Sequence, residues 1–260
     1  MNAAGSLLGL AIGDAMGAPL EGLPAPRRKV TGMTAGGLHH TRPGEYTDDT
    51  LQAVALAESL VACRKFSPED TLIRLLSAYR AHPDFFGPTS SATFTLLEQG
   101  YSADQAALLV HQKNRGSRSN GSIMRGPPLG IFYPPTSVRS VSLLCSKLTH
   151  YEPVAGECSA FINQMISRLC RGASRNEAFS CALHQCEDPD LSEILRFYER
   201  YPLNPSMDAV ATTHAAVTLF MKNDSFADTV ISAINLGGDA DTIGAICGSL
   251  AGALYTLPSI

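Results

Sequence analysis

Glycine recurs every fourth residue in two apolar stretches near the ends of this chain: Gly5, Gly9, Gly13 and Gly17, then Gly244, Gly248 and Gly252. On a helix this spacing puts each set on one face. A glycine in a helix interior costs about 1 kcal/mol relative to alanine, so repeated use needs a reason. Close backbone approach supplies one, because small faces let helices pack nearer than the usual ~8–10 Å. The spacing predicts that the first and last helices are central and touch each other or a common neighbour.

The rest of the chain reads as helix as well. Ser67-Pro68-Glu69-Asp70 gives an N-cap, a proline at the first helical position and an acid at the third, followed by Leu72, Ile73, Leu76 and Tyr79 at helical spacing. Ser102-Ala103-Asp104-Gln105 and Ser174-Arg175-Asn176-Glu177 read as capping boxes, and Ser225-Phe226-Ala227-Asp228 resembles another. Gly100 and Gly172 fit helix stops. Period-two alternation is rare. The expectation is an all-α fold of about ten or more helices in one domain over residues 1–260, with no linker, low-complexity tract or domain-scale repeat.

Composition excludes several classes. Hydrophobic residues at 45% and charged residues at 17% suit a globular core. A net charge of −4 argues against a general nucleic-acid binder, and Arg27-Arg28-Lys29 is the one basic run. The seven cysteines are scattered without a Cys-x-x-Cys spacing, which points to reduced thiols in the cytoplasm. Cys181 and Cys186 lack accompanying ligands for zinc. Residues 1–20 have no basic leader and are interrupted by Asp14; residues 242–260 approach membrane-span length, but Gly, Ala, Ser and Pro258 favour a buried core helix. No membrane association is expected.

Two acidic tracts carry the chemistry. Thr47-Asp48-Asp49-Thr50 and Gly237-Gly238-Asp239-Ala240-Asp241-Thr242 each open into an apolar, alanine-rich segment. Buried carboxylates without partners are costly, and neighbouring ones hold protons unless a cation intervenes. Asp48, Asp49, Asp239, Asp241 and the hydroxyls of Thr47, Thr50 and Thr242 form an all-oxygen set suited to hard divalent ions such as Mg²⁺, Mn²⁺ or Ca²⁺ rather than zinc or copper. Adjacent residues point ~100° apart on a helix, so Asp48 and Asp49 share a target only at a helix start. Plain N-capping is the competing account of either tract alone. The glycine contact between the chain ends predicts that the two tracts meet.

Other polar signals are weaker singly. Gly237-Gly238 permits positive φ and leaves room for a ligand at the backbone, or forms an ordinary turn. Gly116-Ser117 and Asn120-Gly121-Ser122, ahead of Ile123-Met124-Arg125 and Pro127-Pro128, make a polar loop whose N–H groups suit a diphosphate. His150 after Thr149 reads as a structural hydrogen-bonder or a binding residue, and Glu21 within Ala18-Pro19-Leu20-Glu21-Gly22 as a surface acid.

Taken in order along most of the chain, these pieces resemble the ADP-ribosylglycohydrolase family, which includes dinitrogenase reductase-activating glycohydrolases and hydrolases of ADP-ribosyl-arginine and ADP-ribosyl-serine. The matching segments run from Gly9 to Ala18 with Glu21, from Gly44 to Thr50, from Asn120 to Arg125, through Thr149-His150, and from Gly237 to Gly244. The resemblance implies an orthogonal helical bundle with a binuclear Mg²⁺ or Mn²⁺ centre. Its ligands fall on Thr47, Asp48, Asp49, Asp239, Asp241 and Thr242; the ADP-ribose loop falls on residues 116–121, including Gly116, Ser117, Ser119, Asn120 and Gly121, with Ser122 following; the binding histidine falls on His150. Glu21 falls where some members place an acid that gates or activates substrate. Two positions depart from the pattern. Ser119 stands where glycine is usual, and Asp84-Phe85-Phe86-Gly87 has Phe85 where nitrogenase-regulating members have an acid, which weakens a strict arginine reading and brings Glu21 forward. The chain ends at Ile260, earlier than many relatives, so specificity carried by a C-terminal helix is expected to be missing or cut away.

The reaction expected is metal-dependent hydrolysis of the N- or O-glycosidic bond between ADP-ribose and a protein side chain or small acceptor. Most of the carboxylates then serve as ligands, and Glu21 or an aspartate such as Asp49 takes a proton from the attacking water. The alternative is an ADP-ribose or nucleotide-binding module with little turnover; a two-metal phosphoesterase is weaker, for want of histidine ligands. The partners expected are ADP-ribosylated proteins or small ADP-ribose conjugates, with nucleic acid only as a modified substrate, and the chain is expected to act as a monomer.

Overall fold

The computed structural model describes residues 2–255. These form fourteen α-helices: α1 (Ala3–Gly17), α2 (Asp48–Cys63), α3 (Pro68–Ala81), α4 (Pro88–Glu98), α5 (Ala103–Lys113), α6 (Gly121–Met124), α7 (Pro127–Phe132), α8 (Val138–Lys147), α9 (Pro153–Leu169), α10 (Arg175–His184), α11 (Pro189–Arg196), α12 (Ala209–Lys222), α13 (Phe226–Ile234) and α14 (Ala240–Leu254). Among the described residues β structure is limited to isolated bridges, such as Ser119 with Asp208. The fold is all-α, as the periodicity predicts.

The helix ends follow the local chemistry. The Ser67, Ser102, Ser174 and Ser225 hydroxyls accept the N–H three residues on. Only Ser102 and Gln105 close the reciprocal capping box, with Gln105 reaching back to the Ser102 N–H. At the fourth expected box Asp228 is one methylene short, and its carboxylate accepts from the Ser225 hydroxyl instead. Gly100 and Gly172 take φ of +92° and +91° just past α4 and α9. Pro127 occupies the first position of α7, just past the end of α6, where its missing N–H is harmless.

The glycine stripes form one seam. A Cβ on Gly9 would overlap the carbonyl of Gly248, one on Gly13 that of Gly244, and one on Gly252 that of Gly5. α1 and α14 thus touch backbone to backbone, with the Ser6 and Ser249 hydroxyls bonded across the seam at 2.8 Å. Ala3–Leu20 passes for a membrane span by length and composition alone; its glycine face lies against α14. Every residue of α14 from Ala240 to Ala253 is buried, and the main core gathers Phe161, Ile162, Met165, Phe220, Ile246 and Leu250 around it. The expected break at Pro258 lies outside the described residues. All seven cysteines are free thiols.

Candidate active site

The seam delivers the two acidic tracts to one place. Where α1 ends, a Cβ on Gly17 would meet the Asp241 backbone, so the start of α14 sits against the end of α1. Earlier on α1, Asp14 is wholly buried and organises the start of α2. Its carboxylate accepts the Thr47 and Thr50 N–H groups at 3.0 Å and their hydroxyls at 2.7 and 2.6 Å. Asp48 and Asp49 are thereby fixed in the first turn of α2. Asp239 occupies the N-cap position of α14 without a side-chain cap bond, and Asp241 and Thr242 lie within its first turn.

These acids floor a cleft that is partly open to solvent. Asp48, Asp49, Asp239, Asp241, Thr242 and Glu21 line its base, and Thr242 Oγ1 comes within 3.5 Å of Asp49 Oδ2. Ligand atoms of Glu21, Asp239 and Asp241 all lie within 4.8 Å of one another. Asn120 donates its amide to both Asp239 and Thr212, and Gln52 donates to Asp48 Oδ2 at 2.8 Å. Asp49 Oδ1, Asp241 Oδ1 and Glu21 Oε2 are buried without a hydrogen-bond partner. His39 Nε2 stands 3.1 Å from that Glu21 oxygen, off the hydrogen-bond line.

Burial followed by mutual repulsion pushes Asp48, Asp49 and Asp241 well above the ordinary carboxylate range. Burial lifts Asp239 to about 6, moderated by the Asn120 bond, and raises Glu21 and Asp14 as well. Orphaned carboxylate oxygens in a buried floor are costly unless something positive faces them. An all-oxygen set in this condition fits a hard divalent cation.

The cleft walls come from three further places. Phe85, Gly87, Thr89 and Ser90 bring in the approach to α4 and its first turn; Ser119 and Asn120 bring in the loop before α6 and Gly121 its first residue; His150 and Met207 lie at the rim. A Cβ on Gly121 would press on the His150 ring at 3.0 Å. The His150 ring is wholly buried, its Nδ1 paired with the Thr149 hydroxyl at 2.7 Å, and burial with the charge of Arg125 lowers it to about 3. It is therefore neutral at pH 7.

Several residues singled out in the sequence lie apart from the cleft surface. Thr47 is buried behind it, its hydroxyl committed to Asp14. Gly116 closes α5 with φ +96°, its N–H bonded to the His111 carbonyl. Ser117 pairs with Thr89 at 2.9 Å, and the Ser122 hydroxyl is buried without a partner. Gly237 and Gly238 have positive φ as expected, but the space they leave is filled by protein. A Cβ there would strike the backbone of residues 23–25 and of Pro205. Among the residues that escaped the sequence reading as site components are Asp14, Gln52, His39, Thr89, Ser90 and Met207. Asp14 had a signal, a lone acid in an apolar helix; the others had none.

A family profile described as ADP-ribosylglycohydrolase matches residues 2–260. The chain is 33% identical to ADP-ribosylarginine hydrolase Tri1 of Serratia proteamaculans (strain 568) over 99% of its own length and 72% of that protein's. It is 29% identical to the ADP-ribosyl-[dinitrogen reductase] glycohydrolase of Rhodospirillum rubrum, covering 99% of this chain and 87% of the relative. A solved structure described as an ADP-ribosylglycohydrolase-related protein complex superposes with a TM-score of 0.84 at 31% identity, over 100% of this chain and 89% of that one. Matched from end to end in sequence and superposed over its whole length, the chain belongs to the ADP-ribosylglycohydrolase family.

Proposed function

We propose that this protein hydrolyses the glycosidic bond that links ADP-ribose to a protein side chain or small acceptor, and that it depends on two Mg²⁺ or Mn²⁺ ions. The observation that carries the reading is that carboxylates of α2, α14 and Glu21 line one cleft, with Asp49 Oδ1 and Asp241 Oδ1 buried and without a hydrogen-bond partner. Asp48, Asp49, Asp239, Asp241 and Thr242 would hold the ions, with Thr47 behind them. Bound there, the ions supply positive charge that steadies the ribose hydroxyls and eases ionisation of a water.

The chain's own groups account for the remaining steps. The loop at Ser119, Asn120 and Gly121 and the neutral ring of His150 flank the ADP-ribose. Glu21, or Asp49, accepts a proton from the attacking water. The water oxygen bonds to the anomeric carbon of the distal ribose as the bond to the acceptor breaks. The bonding pair leaves with the acceptor nitrogen or oxygen, which takes up a proton. Arginine-linked ADP-ribose is the first substrate to test, because two relatives are named ADP-ribosylarginine hydrolase. Phe85 places an aromatic ring at the cleft wall where the family pattern suggested an acid, so serine- and O-acetyl-linked forms belong in the same panel. A cytoplasmic location, suited to seven free thiols, and action as a monomer on a modified protein or small conjugate are part of the same reading.

The test is release of free ADP-ribose, read by mass, with and without Mg²⁺ or Mn²⁺. Asp49→Ala and Asp239→Ala should each lower turnover by about 1,000-fold or more, of the order expected when metal-assisted chemistry is removed, with helix content kept. Near-normal rates in either variant at saturating Mg²⁺ would refute the assignment. ADP-ribose binding without product release in both metals would make the protein a binding module.

A further inference from the structure

Arg125 heads the largest wholly buried side chains among the described residues. It follows α6, and no carboxylate among the described residues lies within ion-pair distance of its guanidinium. Its partners are neutral. Nη1 donates to Gln52 Oε1 at 3.2 Å and to the Gly121 carbonyl at 3.5 Å, while Nη2 donates to the Cys145 and Ser146 carbonyls at 3.0 and 3.5 Å. A buried charge without a counter-charge is expensive. A position that only needed filling would hold leucine or methionine.

One amide connects this cation to the acids. Gln52 is wholly buried, and its Nε2 donates to Asp48 Oδ2 at 2.8 Å. A glutamine amide has one accepting end and one donating end, whereas a guanidinium can only donate. With Arg125 on Oε1, the NH₂ end of Gln52 must face Asp48. Turned over, the amide would set its carbonyl against a carboxylate and its NH₂ against the guanidinium. Arg125 therefore fixes Gln52, and Gln52 holds Oδ2 of Asp48, leaving Oδ1 for the cleft. The same guanidinium grips Gly121 in the wall loop and the Ser146 carbonyl, which also accepts the His150 N–H at 2.9 Å. A planar fork can hold three walls together, whereas a lysine point charge lacks that geometry.

We propose that Arg125 and Gln52 are positioning residues, a buried relay that sets the Asp48 carboxylate for a divalent cation. The proposal rests on the cation-dependent reading above and goes beyond it by placing part of the cation affinity in residues that never touch the cleft. Gln52→Glu keeps an acceptor for Arg125 but cannot donate to Asp48 as a carboxylate. Gln52→Met keeps the volume and loses both bonds. Arg125→Lys keeps the charge and loses the fork.

The experiment is calorimetric titration of each metal-free protein with Mn²⁺, with thermal unfolding recorded beside it. Both Gln52 variants should bind Mn²⁺ about 10–100-fold more weakly, the usual consequence of losing an outer partner of a metal ligand, and Arg125→Lys about 10-fold more weakly. Excess Mn²⁺ should restore turnover in Gln52→Met, which a merely structural defect would not allow. Mn²⁺ affinity within threefold of wild type in both Gln52 variants overturns the proposal. Failure of both to fold overturns it too, since Gln52 would then be a structural residue. Wild-type protein that binds no Mn²⁺ would instead sink the cation reading itself.

Discussion

The α1–α14 seam and the carboxylate floor share helix α14, lie a few residues apart along it, and are both buried. They differ in how completely their groups are answered. Along the seam, each glycine lets a carbonyl of the other helix approach, and the one hydroxyl pair, Ser6 and Ser249, is bonded. On the floor, Asp49, Asp241 and Glu21 each keep an oxygen with no hydrogen-bond partner. The first region is arranged to be stable as it stands. The second accepts repulsion in return for a place where positive charge is wanted, the usual condition of a functional site. The difference teaches that stability and activity should respond in opposite ways to substitutions made within about one helical turn of each other.

The largest expected effect breaks the seam. In Gly13→Ala the new methyl would overlap the Gly244 carbonyl and approach the Ala245 N–H, both backbone groups with no rotamer to change. Overpacking of this kind costs about 3 kcal/mol or more, and the whole floor would shift with α14. Gly32→Ala is the control, because nothing lies within 4 Å of its added Cβ; surface changes of that kind stay within about 0.5 kcal/mol. Urea denaturation of the metal-free proteins measures both. Equal stability of the two variants would mean that the helices slide apart at little cost and that the seam does not fix the acids.

A smaller effect comes from pH, and here the two regions separate cleanly because the seam carries no titratable contact. Floor carboxylates raised above the ordinary aspartate range, Asp239 to about 6, bind protons more readily in the folded state than in the unfolded one. Stability of the metal-free protein therefore falls as pH rises from about 4 through 6 and beyond. His150 works with the opposite sign. Lowered from 6.5 to about 3, it resists a proton that the unfolded chain accepts, so stability is lost as pH falls from 6.5 towards 3. The two together predict a stability maximum on the acidic side of neutrality. Mn²⁺ should raise the melting temperature more at pH 8 than at pH 5.5. A flat metal-free profile across that range would show that the floor carries no excess protons.

What the sequence revealed divides along the same line. The seam was legible because its cause is periodic: glycine at a spacing of four has few explanations other than close helix contact. The acids were legible because two tracts of the same chemistry stood at predicted helix starts. Partners joined only by tertiary contact were not. Gln52 and Arg125 lie 73 residues apart and meet through one bond; Arg125 stood only at the end of a matching segment with no sign of what it touches, and nothing in the text of the chain marks Gln52 as part of a site. His39 sits in the long connection between α1 and α2, whose path follows no period. Gly237 and Gly238 show the reverse limit. Their positive φ was foreseeable, but what fills the space beside them, the backbone of residues 23–25 and of Pro205, depends on parts of the chain far from either glycine.

The smallest effect sharpens the comparison most, because its sign is unusual. Asp241 sits in the first turn of α14, where an acid ordinarily helps a helix by up to about 1 kcal/mol. Here the charge faces Asp239, Glu21 and Asp14, all of which push its proton affinity up. Asparagine has the same shape, carries no charge and brings an NH₂ group that can answer a neighbouring carboxylate oxygen. In the metal-free protein Asp241→Asn should therefore gain stability, by about 1–2 kcal/mol, the scale of a relieved unpaired buried group. At roughly 2–4 °C per kcal/mol for a chain of this size, a thermal melt resolves it. Adding Mn²⁺ should reverse the order, because the wild-type floor gains a counter-charge that the variant has lost the means to hold. If Asp241→Asn melts lower than wild type without metal, the floor is as well satisfied as the seam, and the contrast between the two regions fails.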